Sequence, residues 1–175
     1  MSALVLIELN GSEVSANSRA AITAASQLSD TIDALVLTND IDNASQTSFL
    51  AGLSTVKVIV NDELEHACVE VASGLIAEVM DGYDYLVAGS STYSKNIVPR
   101  VGALLDFQPI SDVCKIKSKN TFVRPLYAGN IMATVESSDS KILMTVRPTS
   151  FEHSQDGGSA AIEELSLNMP ESQST

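Results

Sequence analysis

The stretch Ala3-Leu-Val-Leu-Ile-Glu-Leu9 decides the fold, because it is apolar nearly throughout and does not alternate. A strand of this kind has both faces covered, as in a parallel sheet held between helices. Working outward, Asn10-Gly11 signals a turn, and Ser15 or Asn17 can cap a helix carrying Ile22, Ala25 and Leu28. Residues 32–37 read as a second strand. A polar loop over 38–43 leads to a short helix near 44–53, which Gly52 closes. Residues 56–60 form a third strand, and Asn61-Asp62 can cap a long helix that places Leu64, Cys68, Val71, Leu75 and Val79 on one face. Residues 85–88 are a fourth strand. The small-residue loop Gly89-Ser-Ser-Thr-Tyr-Ser94 and a helix bearing Ile97, Val101, Leu104 and Leu105 follow it. Strands and helices alternating at these lengths predict an α/β fold with a right-handed parallel sheet in three layers.

From 113 to 146 no helical period survives. Short runs separated by Ser118-Lys-Asn120, Ala128-Gly-Asn130 and Ser137-Ser-Asp-Ser140 read as antiparallel strands that extend or flank the sheet. Pro125 suits an edge or a bulge, and Gly129 a turn. The domain is expected to span residues 1–151. Residues 152–175 read as an acidic linker or tail: Gln155-Asp-Gly-Gly-Ser159 is linker-like, a short helix is expected near 160–167, and the last six residues are polar.

Charge is unevenly distributed. The segment 95–151 holds eight of the ten Lys and Arg, against only four acids, in a chain of net charge −12. That balance excludes a nucleic-acid binder, since phosphates would be repelled. It leaves room for a small anion or an acidic protein surface at the positive block. No apolar run approaches membrane-spanning length and no targeting segment is readable, so a cytoplasmic location is expected.

Candidate chemistry is sparse. No glycine-rich dinucleotide loop follows the first strand, and no phosphate-loop lysine motif occurs. Gly89, Ser90, Ser91 and Thr92 lie between a strand end and a helix start, where a phosphate could sit, but helix capping explains the same hydroxyls. Cys68 and Cys114 are isolated, and Cys68 reads as a buried thiol. His66 and His153 have no companions at metal-ligand spacing, and no nucleophile–base pair is legible, so no catalytic residue is assigned. Arg124 and Arg147 each interrupt a strand-like context and need a partner, either an internal carboxylate such as Asp106 or Asp112 or a group on another chain. Tyr127 and Asn130, beside a glycine, suit an interface.

Several motifs occur together in order: Ser94-Lys-Asn-Ile-Val-Pro-Arg-Val-Gly-Ala-Leu-Leu-Asp106, Ile110-Ser-Asp112, Phe122-Val-Arg-Pro-Leu-Tyr-Ala-Gly-Asn130, Ala133-Thr-Val135 and Thr145-Val-Arg147 through Phe151. They resemble the alpha subunit of electron transfer flavoprotein, and Glu8 and Thr23-Ala-Ala25 fit that family's opening. Ser94 stands where many members have glycine, and Gly102 where alanine is usual. The resemblance covers residues 3–151. It implies a Rossmann-like, nucleotide-hydrolase-type domain in a heterodimer with a homologous beta subunit. Such a pair carries electrons from flavin dehydrogenases of the acyl-CoA dehydrogenase type, in fatty acid oxidation, to a membrane quinone oxidoreductase.

In that family FAD is held chiefly by a second, C-terminal domain of the alpha subunit, and AMP, where present, lies in the beta subunit. The flavin motifs of that second domain, Gln-x-Gly-Gln-Thr-Gly and Gly-Ala-Ile-Gln-His, do not occur in these residues. The expectation is therefore an N-terminal docking domain, not an enzyme, that holds no flavin by itself. It could be a fragment or a truncated product. Arg124, Tyr127, Asn130 and Arg147 are its candidate interface. The rival expectations are a stand-alone AMP- or ATP-binding module using Gly89–Thr92, and a regulatory or structural piece bound to a beta subunit.

Overall fold

A computed structural model describes residues 1–66 and 69–170, with the side chains of Glu65 and His66 left out. The expected burial of Cys68, the setting of the His66 side chain and residues 171–175 lie outside that description. The chain forms β1 (Ser2–Ile7), a small hairpin of β2 (Leu9–Asn10) and β3 (Glu13–Val14), α1 (Ala16–Ser26) and β4 (Thr31–Thr38). A 3-10 segment, Ile41–Phe49, leads to β5 (Thr55–Val60). After a second 3-10 turn at Asp62–His66 come α2 (Val69–Val79), β6 (Tyr85–Gly89) and α3 (Thr92–Leu105). Then follow β7 (Ile110–Val113), β8 (Lys115–Ile116), β9 (Thr121–Leu126), β10 (Ile131–Glu136), β11 (Ile142–Val146) and β12 (Ala161–Glu164).

Seven strands form one sheet in the order β12-β5-β4-β1-β6-β11-β7, and every pairing in it is parallel. The non-alternating β1 lies at its centre, and Ala3, Leu4, Val5 and Leu6 are all buried. Its odd residues face one core with α1, containing Ala21, Ile22, Ala25 and Leu28. Its even residues face a second core with α2 and α3, containing Leu75, Ile76, Ile97 and Val101. Apolar residues on both faces of one strand thus account for the three layers. The fold is α/β and Rossmann-like.

The structure differs from the sequence reading in several places. The hairpin turn at Gly11, where φ is +66°, ends β1 before Leu9. The long helix expected from Asn61-Asp62 is a 3-10 turn followed by α2; Asn61 Oδ1 accepts the Glu63 N–H at 2.9 Å, and Leu64 still packs into the core. Leu104, counted in the apolar stripe of α3, is exposed. Within 113–146 only β8, β9 and β10 are antiparallel, as a separate three-stranded sheet; β11 pairs in parallel with β6 and β7.

The largest departure is the helix expected near 160–167. Residues 161–164 are instead β12, pairing in parallel with β5 in the register Ala161↔Thr55 to Glu164↔Val58. The preceding turn is fixed by backbone contacts. The Gly157 and Gly158 N–H groups both donate to Phe49 O at 2.9 Å, and Ser154 Oγ donates to Ala51 O at 2.7 Å. A Cβ on Gly158 would stand 2.1 Å from Leu50 O, so only glycine passes there. Beyond β12, Leu165, Leu167 and Met169 pack on the second core, and Pro170 lies against Gly74 of α2.

Candidate functional site

In a parallel sheet the open valences and loops gather at the carboxyl ends of the strands, where neighbouring crossovers diverge. Here β1 has β4 on one side and β6 on the other. A cleft of about 600 Å³ opens at that point, lined by Glu8, Asn10, Asn39, Asn43, Ser91 and Tyr93 among others. Glu8 follows β1 directly, and its carboxylate accepts a short hydrogen bond from Ser91 Oγ. Burial pushes the Glu8 carboxyl above its ordinary value of 4.5, against the opposing pull of hydrogen bonds from Ser91 and Ser94. Tyr93 is pushed up to about 12 by burial and then by the charge of Glu8.

The loop singled out as phosphate-friendly meets this cleft, and its hydroxyls are committed. Ser91 is the N-cap of α3, its side chain accepts the Ser94 N–H at 3.0 Å, and Ser94 Oγ returns a bond to the Ser91 N–H, completing a capping box. Ser94 Oγ also donates to Gly89 O at 2.5 Å. Gly89 itself is pressed against α1: a Cβ there would stand 2.3 Å from Asn17 O. Ser90 Oγ lies 3.3 Å from Asp112 Oδ1, and Thr92 is exposed on the first turn of α3.

Arg147 follows β11, and Arg124 lies within β9; both reach β7, at consecutive residues. Arg147 Nη2 donates to Asp112 Oδ2 at 2.6 Å, and this bond, with the carboxylate charge, raises the guanidinium further above its ordinary range. Of the internal partners open to the arginines, Asp112 is therefore taken by Arg147. Arg124 pairs with no acid among the described residues; its Nη2 donates to Ser111 Oγ at 2.9 Å. Its Nε is buried without a hydrogen-bond partner among the described residues.

Tyr127 and Asn130 occupy the tip joining β9 to β10. The tip is tight: Tyr127, Ala128 and Gly129 all have positive φ, and the Asn130 N–H donates to Tyr127 O at 3.2 Å. Tyr127 is 75 % exposed, and Ile131 and Met132, which open β10 just after the tip, are 50 % and 55 % exposed. The sequence reading named Tyr127 and Asn130 but missed Ile131 and Met132. An edge strand that alternates weakly does not reveal which of its apolar residues lack a cover. Pro125 pairs with Met132 on one side and lies beyond the reach of β8 on the other, so its missing N–H breaks no ladder.

Cys114 is a free, half-buried thiol whose Sγ donates to Val123 O at 3.3 Å, and His153 is exposed. Among the described residues no group of His, Cys, Asp and Glu could hold a metal ion.

The electron transfer flavoprotein domain matches residues 3–169. The electron transfer flavoprotein subunit alpha of Pseudomonas aeruginosa is 37% identical over 168 residues, covering 95% of this chain and 54% of the relative. A probable mitochondrial alpha subunit from Caenorhabditis elegans is 35% identical, covering 93% of this chain and 50% of the relative. One from Saccharomyces cerevisiae is 33% identical over 144 residues, covering 79% and 42%. The chain spans about half the length of these curated relatives.

Proposed function

Because the chain belongs to the electron transfer flavoprotein family, we propose that its described residues act as the docking domain of an alpha-type subunit, holding a beta-type partner without themselves gripping the flavin. The observation that carries the docking half is the β9–β10 tip, where Tyr127, Ile131 and Met132 are each exposed at one end of a tightly turned hairpin, Ile131 and Met132 on opposite faces of β10. Isolated apolar residues on a surface mean little, whereas a tyrosine, an isoleucine and a methionine all exposed at one hairpin end have the composition of an interface core. Arg124 on the same strand β9 and Arg147 after β11 turn inward to Ser111 and Asp112 of β7, so of the four candidates Tyr127 and Asn130 are the ones at the tip itself.

FAD, which the family implies, does not fit these residues. Its pyrophosphate needs open N–H or hydroxyl donors at the end of a strand. Here the carboxylate of Glu8 stands in that place, the Ser91 and Ser94 hydroxyls serve the cap, and Gly89 is backed against Asn17. The same obstacles stand against AMP or ATP at Gly89, Ser90, Ser91 and Thr92. No redox step is therefore routed through this chain's own groups. The wider reading places the domain in an assembly that takes electrons from flavin dehydrogenases of the acyl-CoA dehydrogenase type and delivers them to a quinone oxidoreductase, in the cytoplasm. Among the described residues no helix is long and apolar enough to cross a membrane.

The test is co-expression with a cognate beta-type subunit. The chain is expected to co-purify with it, and Tyr127→Ala with Met132→Ala is expected to weaken assembly by at least about tenfold, in keeping with loss of two central apolar contacts. Unchanged assembly would remove the tip from the interface. The chain alone is expected to be colourless after incubation with FAD and silent in calorimetry with AMP; a yellow, stoichiometric complex or micromolar AMP binding defeats the reading of Gly89–Thr92 as a cap.

A further inference from the structure

Between α3 and the outer strand β7 lies a second, smaller cavity of about 220 Å³, lined by Lys95, Val98, Pro99, Gln108, Pro109, Ile110, Ser111, Arg124 and Thr145. Its walls divide by chemistry. Val98, Pro99, Pro109 and Ile110 are apolar, while Lys95, Ser111, Arg124 and Thr145 bring donors, and no acidic side chain lines it.

The donors are in excess. Arg124 Nε is buried and has no partner among the described residues. Ser111 Oγ accepts from Arg124 Nη2 at 2.9 Å, and Thr145 Oγ1 accepts the Asp112 N–H at 3.0 Å. In neither case does the hydroxyl's own proton find an acceptor among the described residues. Thr145 is only 2 % exposed, so bulk water does not serve it. Lys95 Nζ, on the same face of α3 as Val98 and Pro99, forms no ion pair among the described residues. Glu136 and Asp139 line a neighbouring pocket that shares Gln108, Pro109, Ile110 and Arg124 with this one, and they accept from Asn120 Nδ2 and the Gln108 N–H, each at 3.1 Å. Buried polar groups are nearly always satisfied, and each that is not calls for a partner.

We propose that this cavity is a binding site for a small aliphatic monocarboxylate. Its carboxylate oxygens accept from the Arg124 guanidinium, Lys95 and the Ser111 and Thr145 hydroxyls, and its short chain lies against Val98, Pro99, Pro109 and Ile110. Two cations and two hydroxyls suit a single planar carboxylate. The volume is below the range of drug-sized sites, which limits the tail to a few carbons. A phosphate would meet the same donors but leave the apolar wall unused. The proposal shares Arg124 with the docking reading but does not rest on it, and its test needs no partner subunit.

Butanoate is titrated into the isotopically labelled chain, with butylammonium and inorganic phosphate as comparisons, and amide resonances of Ile110, Ser111 and Thr145 are followed. Saturable shifts are expected with a dissociation constant on the order of 1–10 mM, attainable for a ligand of about six non-hydrogen atoms. Lys95→Gln and Arg124→Gln are each expected to weaken binding at least about tenfold, while Lys115→Gln, the same charge change outside the cavity, leaves it unaltered. If Arg124→Gln fails to fold, Lys95→Gln and the butylammonium comparison decide. The proposal falls if butanoate gives no saturable shift, if butylammonium shifts the same resonances equally, if phosphate binds as tightly as butanoate, or if Lys115→Gln weakens binding as much as Lys95→Gln.

Discussion

At Glu8 one carboxyl group records how the strand ends were assigned. Burial raises its pKa above 4.5, so between that value and its folded value the native chain holds the proton more tightly than the unfolded chain does. Stability therefore falls as pH rises through that window, and the loss persists above it. Glu8→Gln keeps an oxygen for Ser91 Oγ and removes the charge. It is expected to raise the melting temperature at pH 8 while giving no advantage at pH 4; an advantage equal at both values would mean the charge is not the cause. Gly89→Ala tests the neighbouring contact. Its added methyl meets Asn17 backbone at 2.3 Å, and overpacking of this kind costs about 1–3 kcal/mol, readable in urea unfolding. Neither effect was legible in the sequence. The small residues of 89–94 marked a strand-to-helix turn, but whether their hydroxyls serve a phosphate or a cap depends on Glu8, which is more than eighty residues distant in sequence. The arginines were half legible: their need for partners could be read, but the partition of Asp112 to Arg147 and Ser111 to Arg124 follows from how β9 crosses the outer strand.

Elements with internal periodicity were read well, and those made by distant pairing were not. The central strands announced themselves as short unbroken apolar runs, and α3 by apolar residues at helix spacing. The segment 160–167 misled, since Ala160-Ala-Ile-Glu-Glu-Leu165 is composed of good helix formers. What decides its state is the open edge of β5 and the placement of residues 154–158 against Phe49, Leu50 and Ala51, which no local window contains. Lys57 and Glu163 then join across the pair. β12 thus closes one edge of the main sheet with acidic side chains, a usual protection against pairing with other chains. Ending the chain after residue 159 is expected to cost about 3 kcal/mol, chiefly the half-buried Leu165, Leu167 and Met169, and to lower the midpoint of urea unfolding accordingly. Gly158→Ala should move stability the same way by dislodging the turn. An unchanged midpoint in the truncated chain would mean that residues 160–170 add nothing to the domain.

At the scale of the molecule, the positive segment is split by the fold between two tasks. Lys115, Lys117 and Lys119 lie exposed along and after the short β8, while Arg124 and Arg147 turn inward to β7. A surplus of positive charge in the sequence therefore becomes a basic rim on the small sheet rather than one continuous patch. The apolar group is at the other end of that sheet, where Tyr127, Ile131 and Met132 have no cover. Exposed apolar clusters on a rigid hairpin drive association when their proper partner is absent. The net charge of −12 opposes that only through long-range repulsion, which salt screens within about 10 Å at 0.1 M. The isolated chain is accordingly expected to self-associate, more strongly at 0.5 M than at 0.02 M sodium chloride, as read by sedimentation over a range of concentrations. Ile131→Ser with Met132→Ser should return it to a monomer while changing stability by no more than about 0.5 kcal/mol per site, because both residues are at the surface. A chain that stays monomeric at high salt and high concentration, or a double variant that still associates, would show that the tip does not drive contact between chains and would weaken its claim to be the docking surface.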